Sequence, residues 1–595
     1  MTHPASVTHP AAPPHVLSAT AFDELLCGAG GPDTVAGLRA SERSWRLLAI
    51  RAVLDTAPPL DLAGPLPPPA EAWQLLVRAG AADPAAAERV LAYPATGAWA
   101  AHTLRRLRGS ARDDAPVWVH TGHLQALAAS AAILAGLEFR ADVPVRRGWV
   151  VLPCLGALRL DGGGHEPDTT EAYDDGAAWS TAEVRAEGGG RVTVAGRPVP
   201  GPGWHPLTRL TAEGCTLVLD DLDPYRTLRT PAVPEPLPAA DDWRQLFAGA
   251  WEVLRETGAE EARAIARGLS VVVPRPRAER YRPHSASSGD AFGAALASVP
   301  DDAEQFASTL VHEFQHSKLS ALMHLFTLHE DTGEQRYYAP WRDDPRPLGG
   351  LLQGVYAFHG VTRFWRRRQH PLGHFEFALW RTQTAHALHS VAAAPQLTEL
   401  GRRLVAELTA TLRPWLTEPV GARALAAAEL AAADHRATWR AYHLRPDPDA
   451  VGEYAEALAR SVPPPPGLST PRLVPGRPVR GLDTRAVLLR RLLADPEDVH
   501  RFGAAPGAVV EGARPEDVAL VTGRTGEALD AFRSRIVRGE GDPETWTGLA
   551  LAARAHGDPG GEALLAAPEL AMALYALGER DPLELGRALA RQFTP

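Results

Sequence analysis

Lysine is all but missing from this chain. Lys318 is the only one in 595 residues, so 60 of the 61 basic side chains are arginine. Against 71 acidic residues they leave a formal net charge of −10, which argues against a dedicated nucleic-acid binder. No G-x-x-x-x-G-K-[ST] is present, so there is no phosphate loop, and Asp161-Gly162-Gly163-Gly164 reads as a turn. Cysteine is nearly as scarce. Cys27, Cys154 and Cys215 are scattered, which excludes a disulfide framework and a cysteine-based zinc site. No stretch of about 18 apolar residues suggests a membrane span. Met1 to His15 has no basic start followed by an apolar core, so it does not read as a signal peptide. The expectation is a cytoplasmic protein without a nucleic-acid or membrane partner. His3, His9 and His15 fall in a leader expected to be disordered rather than metal-binding.

What is present is ordinary for a globular chain: 45% hydrophobic and 22% charged residues, with the Ala, Gly, Pro and Arg bias of a GC-rich bacterial genome. At about 150 residues per domain, three or four domains are expected. Apolar residues recur at three- and four-residue spacing up to Leu137, as in Ser41–Leu54 and Leu124–Leu134. Short β-type runs then follow between glycine clusters: Trp149–Pro153, Arg191–Val194 and Thr216–Asp220. Pro463-Pro464-Pro465-Pro466 opens the clearest linker. The reading is an α+β, predominantly helical protein. It divides into a leader (1–15), an N-terminal helical domain (16–137), a β-rich module (138–230), a metal-binding catalytic domain (231–460), a Pro-rich linker (461–481) and a helical accessory domain (482–595).

The catalytic assignment rests on His312-Glu313-Phe314-Gln315-His316, an H-E-x-x-H within an unbroken helical run. Residues i and i+4 share a helix face, so both imidazoles can reach one metal ion, with Glu313 beside them as the catalytic carboxylate. Pro300, Asp301, Asp302 and Glu304 mark an acidic helix start, and Phe292–Val299 reads as a strand leading into it. The motif helix is therefore expected at the edge of a cleft, in a zincin-like arrangement.

Catalytic zinc and non-haem iron each usually take three protein ligands. The short peptidase completion is absent, because Leu319 and Leu322 stand where a Gly and a third His would be needed. The helix expected over Leu348 to Arg367 contains no Glu. It offers His359, on the apolar face of Leu352, Val355 and Tyr356, as a tentative third ligand, with Gln353 as its rival. A lone His on such a face also reads as a core residue. Between the helices, Arg336 to Pro347 gathers Tyr338, Trp341, Arg342 and Arg346. Guanidiniums there suit a carboxylate, bound bidentately, and equally suit pairing with Asp343 or Asp344. Ser287 and Ser288 lie on a hydroxyl-rich turn upstream, where they and Tyr338 are weak candidates for substrate contact.

The runs Thr309–Leu319, Tyr338–Pro347 and Leu352–Phe358 together resemble the HExxH-motif proteins of bacterial ribosomal-peptide gene clusters, the α-ketoglutarate-dependent peptide β-hydroxylases. Val119-His120-Thr121-Gly122-His123-Leu124 and Asp220–Arg226 look like the same family. The resemblance is strongest over 240–415 and does not extend to the C-terminal region. It implies Fe(II) held by His312, His316 and a third group, with α-ketoglutarate anchored by Arg342 or Arg346. It further implies β-carbon hydroxylation of a residue in a precursor peptide. Two other readings stand beside it: a zinc peptidase with Glu313 as general base, and a non-catalytic helical scaffold with a degenerate site.

Overall fold

The computed structural model describes residues 15–56, 64–160, 178–228, 230–330, 333, 336–462, 470–474, 481–500, 505–578 and 580–593. Residues 1–14, the 161–164 turn and most of the Pro-rich linker lie outside this set. Helix predominates, with strand confined largely to 139–298. Among the described residues no helix is long and apolar enough to cross a membrane.

The strands read from sequence as one module divide between two sheets. β1 (Phe139–Arg146), β2 (Trp149–Leu152), β3 (Gly156–Arg159), β4 (Trp179–Glu187), β5 (Arg191–Val194), β6 (Arg197–Val199) and β7 (Trp204–Pro206) form an antiparallel sheet in the order β6-β5-β4-β1-β2-β3-β7. β8 (Thr208–Ala212) and β9 (Cys215–Leu219) instead join β10 (Val271–Arg275), β11 (Ser285–Ala286) and β12 (Ala294–Ser298) in the order β11-β12-β10-β9-β8. β9, β10 and β12 run parallel, and β11 is an antiparallel edge strand. The crossover from β9 to β10 carries two helices, Asp241–Thr257 and Ala259–Gly268, and the break between them falls at Gly258. β10 and β12 are buried along most of their length and read as continuous apolar runs, as parallel strands covered on both faces must.

The motif helix, Ala303–Leu325, follows β12 directly. Asp302 caps it by accepting the Gln305 amide at 2.8 Å, Glu304 sits in the first turn, and neither Gly nor Pro interrupts it. Phe306, Leu310, Phe314 and Leu322 bury one side in the main core with Leu351, Leu352, Val355 and Tyr356 of the facing helix, Leu348–Trp365. Gly360 permits that close approach, since a Cβ there would fall 2.3 Å from Gln315 Nε2. The back of the motif helix clasps the N-terminal chain. Gln315 donates to the Gly28 carbonyl at 3.0 Å, and Lys318 donates to Gly28 and Ala29 carbonyls at 3.2 and 2.7 Å. The sole lysine is thus a buried clamp, and burial pulls its ammonium down to about 7.

The C-terminal helices share cores with the region that follows the motif helix. Leu488 and Val510 pack with Phe375 and Leu379, and Val451 and Leu458 pack with the helices beyond Ala519.

Candidate metal centre

Between Thr309 and Leu322 of the motif helix, His312, His316 and Ser320 are the partly exposed positions among buried neighbours. Their Nε2 atoms lie 3.1 Å apart, with the rings edge to face. Two imidazole nitrogens bound at about 2.1 Å to one ion would be separated by about that distance. Burial, with the neighbouring His316 charge second, holds His312 well below its ordinary pKa, so its lone pair is available to a metal.

Gln353 reaches the pair, but through the other nitrogen. Its Oε1 lies 3.1 Å from His316 Nδ1, while its amide nitrogen donates to Ser320 Oγ at 3.2 Å. An Nδ1–H donated to Gln353 leaves the His316 Nε2 lone pair pointing at His312, which is how a supporting group orients a metal-binding histidine. Gln353 in this arrangement is an orienting residue rather than a ligand. Gln353→Ala is expected to weaken metal binding roughly 10- to 100-fold while Gln353→Glu keeps most of it, read by metal titration of the purified chain.

His359 is not brought to the pair. Six residues beyond Gln353 place it on a different face of the helix, against Gly28, where a Cβ would fall 2.8 Å from its Nδ1, and beside Trp415 at 5.1 Å. It is fully buried, and burial holds it well below its ordinary pKa. Among the described residues, the one group of three His, Cys, Asp or Glu with donor atoms within 4.8 Å of one another lies elsewhere. Among the described residues, then, no third donor of those types groups with the pair.

Glu313 is fully buried and neither carboxylate oxygen has a hydrogen-bond partner among the described residues, although the hydroxyls of Ser285 and Ser287 face it. Burial raises its pKa, partly offset by His316 and those two hydroxyls. Its Oε1 lies 3.9 Å from His312 Nε2. An orphaned buried carboxylate beside two converging imidazoles is costly unless an ion or a proton belongs there, so the donor set fits a metal. Imidazole ligation suits both iron and zinc.

Above the pair stands an aromatic wall. Phe358 lies edge-on to His312 at 5.0 Å, stacks on Trp341 at 4.6 Å and meets Trp380 at 4.3 Å. Gly354 makes room for Trp341, since a Cβ there would be 2.4 Å from its ring. The predicted loop thus reaches the site through Trp341. Its guanidiniums are engaged: Arg342 Nε and Arg346 Nη1 donate to the two oxygens of Asp344 at 2.9 and 3.2 Å, at the half-exposed surface. Ser288 caps a local turn by accepting the Asp290 amide at 3.3 Å.

Tyr338 is held in another packing environment, its hydroxyl 2.9 Å from His435 Nδ1 and its ring against His386 and Trp439. Burial holds His386 and His435 down to about 4. Both are neutral in the folded protein, whereas the unfolded chain takes up these protons below about 6.5. Stability is expected to fall as pH drops from about 6.5 to about 4, then level off; His435→Asn should flatten that slope in denaturant titrations.

Sequence reasoning missed Ser285 and the aromatic wall of Phe358 and Trp380. Ser285 lay two residues before Ser287 on the turn read as a weak substrate contact, and aromatic residues at helical spacing read as core. The chain matches no protein-family model, and no curated protein matches it.

Proposed function

We propose that the protein is a metal-dependent peptide hydroxylase working at His312 and His316, with Fe(II) as the metal and α-ketoglutarate as cosubstrate. The observation that carries this reading is the donor set: two imidazole nitrogens 3.1 Å apart, with no third His, Asp, Glu or Cys grouped with them among the described residues. Zinc and non-haem iron sites are both usually held by three protein ligands, so the pair alone does not choose the metal; its open positions leave room for a chelating 2-oxo acid. When bound, iron and α-ketoglutarate use O2 to insert one oxygen atom into a C–H bond, releasing succinate and carbon dioxide.

The chain's own residues divide the remaining work. Gln353 orients His316. Phe358, Trp341 and Trp380 exclude water and offer an apolar surface to the side chain being modified. Arg342 and Arg346 already converge on one carboxylate, that of Asp344, and would exchange it for the distal carboxylate of the cosubstrate. β11, at the sheet edge beside the motif helix, suits an extended stretch of precursor peptide.

A zinc hydrolase is the second reading, favoured by Glu313, whose buried carboxylate with its raised pKa has the character of a general base. Anaerobic protein reconstituted with Fe(II) and α-ketoglutarate is expected to show a visible metal-to-ligand charge-transfer band that His316→Ala abolishes. No band, with stoichiometric zinc bound instead, would overturn the hydroxylase reading in favour of the hydrolase. Failure to bind either metal would leave a scaffold.

A further inference from the structure

A second convergence of metal-binding side chains lies outside this site, in the N-terminal helical region. His102 comes from the helix Pro94–Leu107, Asp113 from the loop after it, and His120 from the short helix Val117–Thr121. Asp113 bridges the two rings: Oδ2 lies 2.7 Å from His102 Nε2, and Oδ1 lies 3.1 Å from His120 Nε2. The side chains are 6%, 6% and 0% exposed for His102, Asp113 and His120, so the group is closed to solvent. It is also the single three-residue donor group of this kind among the described residues.

The surroundings hold His120 in place. Trp99 Nε1 donates to its carbonyl at 2.7 Å, and Tyr225 Oη lies 2.9 Å from its Nδ1. Arg146 donates to the same phenol oxygen. A phenol oxygen can accept two hydrogen bonds, so it can take both the Arg146 N–H and an Nδ1–H from His120. That tautomer leaves Nε2 as a lone pair aimed at Asp113, and an outer oxygen on the far nitrogen is the usual support of a metal-binding histidine.

We propose that His102, Asp113 and His120 form a second metal site, for a divalent transition ion of the zinc–cobalt–iron class. Two histidines and one carboxylate are a complete donor set for such an ion. Its place in the fold gives it a structural task. Gly97, on the helix that carries His102, lies so close to the Asp290 carbonyl that a Cβ would be 2.1 Å away, and Arg105 binds the Asp290 carboxylate at 2.9 Å. The turn at Asp290 continues from Ser287 and Ser288, and its Gly289 lies against Ser320 of the motif helix. An ion here pins the helix that backs the turn after Ser287, the serine that faces Glu313.

The competing state is a metal-free relay in which Asp113 accepts an N–H from each histidine. The untagged full chain, stripped with chelator and titrated with Co(II), separates the two. The His312→Ala/His316→Ala double variant is expected to retain one equivalent of Co(II) after gel filtration, with a visible d–d spectrum. Addition of Asp113→Asn to that background, or of His102→Gln if the first does not fold by circular dichroism, is expected to abolish both. No ion in the double variant overturns the proposal, as does an ion and spectrum unchanged by the added substitutions. Failure of the hydroxylase reading would leave this equivalent untouched, because it is measured with the motif histidines already removed.

Discussion

Glu313→Gln is expected to keep its metal and its α-ketoglutarate band, to lose peptide turnover by roughly two orders of magnitude or more, and to melt at a higher temperature. The first expectation follows from the donor set, since among the described residues Glu313 is not grouped with His312 and His316 as a third metal-binding donor. The second follows from its raised pKa, which suits a group that exchanges a proton beside the reacting atoms. The third follows from burial: a neutral amide of nearly the same shape replaces a carboxyl group whose oxygens find no hydrogen-bond partner among the described residues. Stability gained as activity is lost is the usual signature of a residue kept for chemistry. Metal titration, product analysis and thermal melting on one preparation check all three. A lower melting temperature with turnover unchanged would make Glu313 a packing residue. Peptide hydrolysis by the parent enzyme that the variant loses would favour the zinc reading.

Arg485→Ala is expected to cost about 3–5 kcal/mol, because it strands two buried carboxylates. Arg485 is 4% exposed and pairs with Asp434 and, at 2.7 Å, with Asp517, and it donates to the Glu544 carbonyl at 2.7 Å. Those partners lie on the helices Ala422–His443, Pro515–Val521 and Pro543–Ala555, so one guanidinium joins the C-terminal helices to the region that packs on the motif site. Burial raises Asp434 to about 6 even with Arg485 beside it, a measure of how poorly the site tolerates an unpaired charge. Denaturant unfolding of Arg485→Ala measures the loss. Replacing Arg485, Asp434 and Asp517 together with Met, Leu and Leu should recover most of it, since an apolar set of similar volume leaves no stranded charge. A single variant within 1 kcal/mol of the parent would show that the triad adds little to this junction.

Much of this was legible along the chain because the relevant physics is local. The i, i+4 spacing of His312 and His316 needs only a helix, and the acidic start with an unbroken run to Leu325 needs only capping and propensity. The β12 run and the helical bulk of the chain were likewise readable from pattern. Strand pairing was not. β8 and β9 follow β7 with almost no gap, and their choice of a different sheet depends on β10, which lies 51 residues beyond β9.

The third position shows the same limit. Gln353 and His359 sit on one predicted helix, and composition favoured the imidazole; helix rotation against the motif helix turned Gln353 toward His316 and His359 toward Gly28. His102, Asp113 and His120 span 19 positions with no recognisable spacing, so their convergence is invisible until two helices and a loop fold together. The sequence by itself determined the helix that carries the His312–His316 pair, because hydrogen bonds and side-chain spacing within a helix are local. Only the tertiary structure decided what surrounds that pair, because which faces meet is set by packing between segments far apart in the chain.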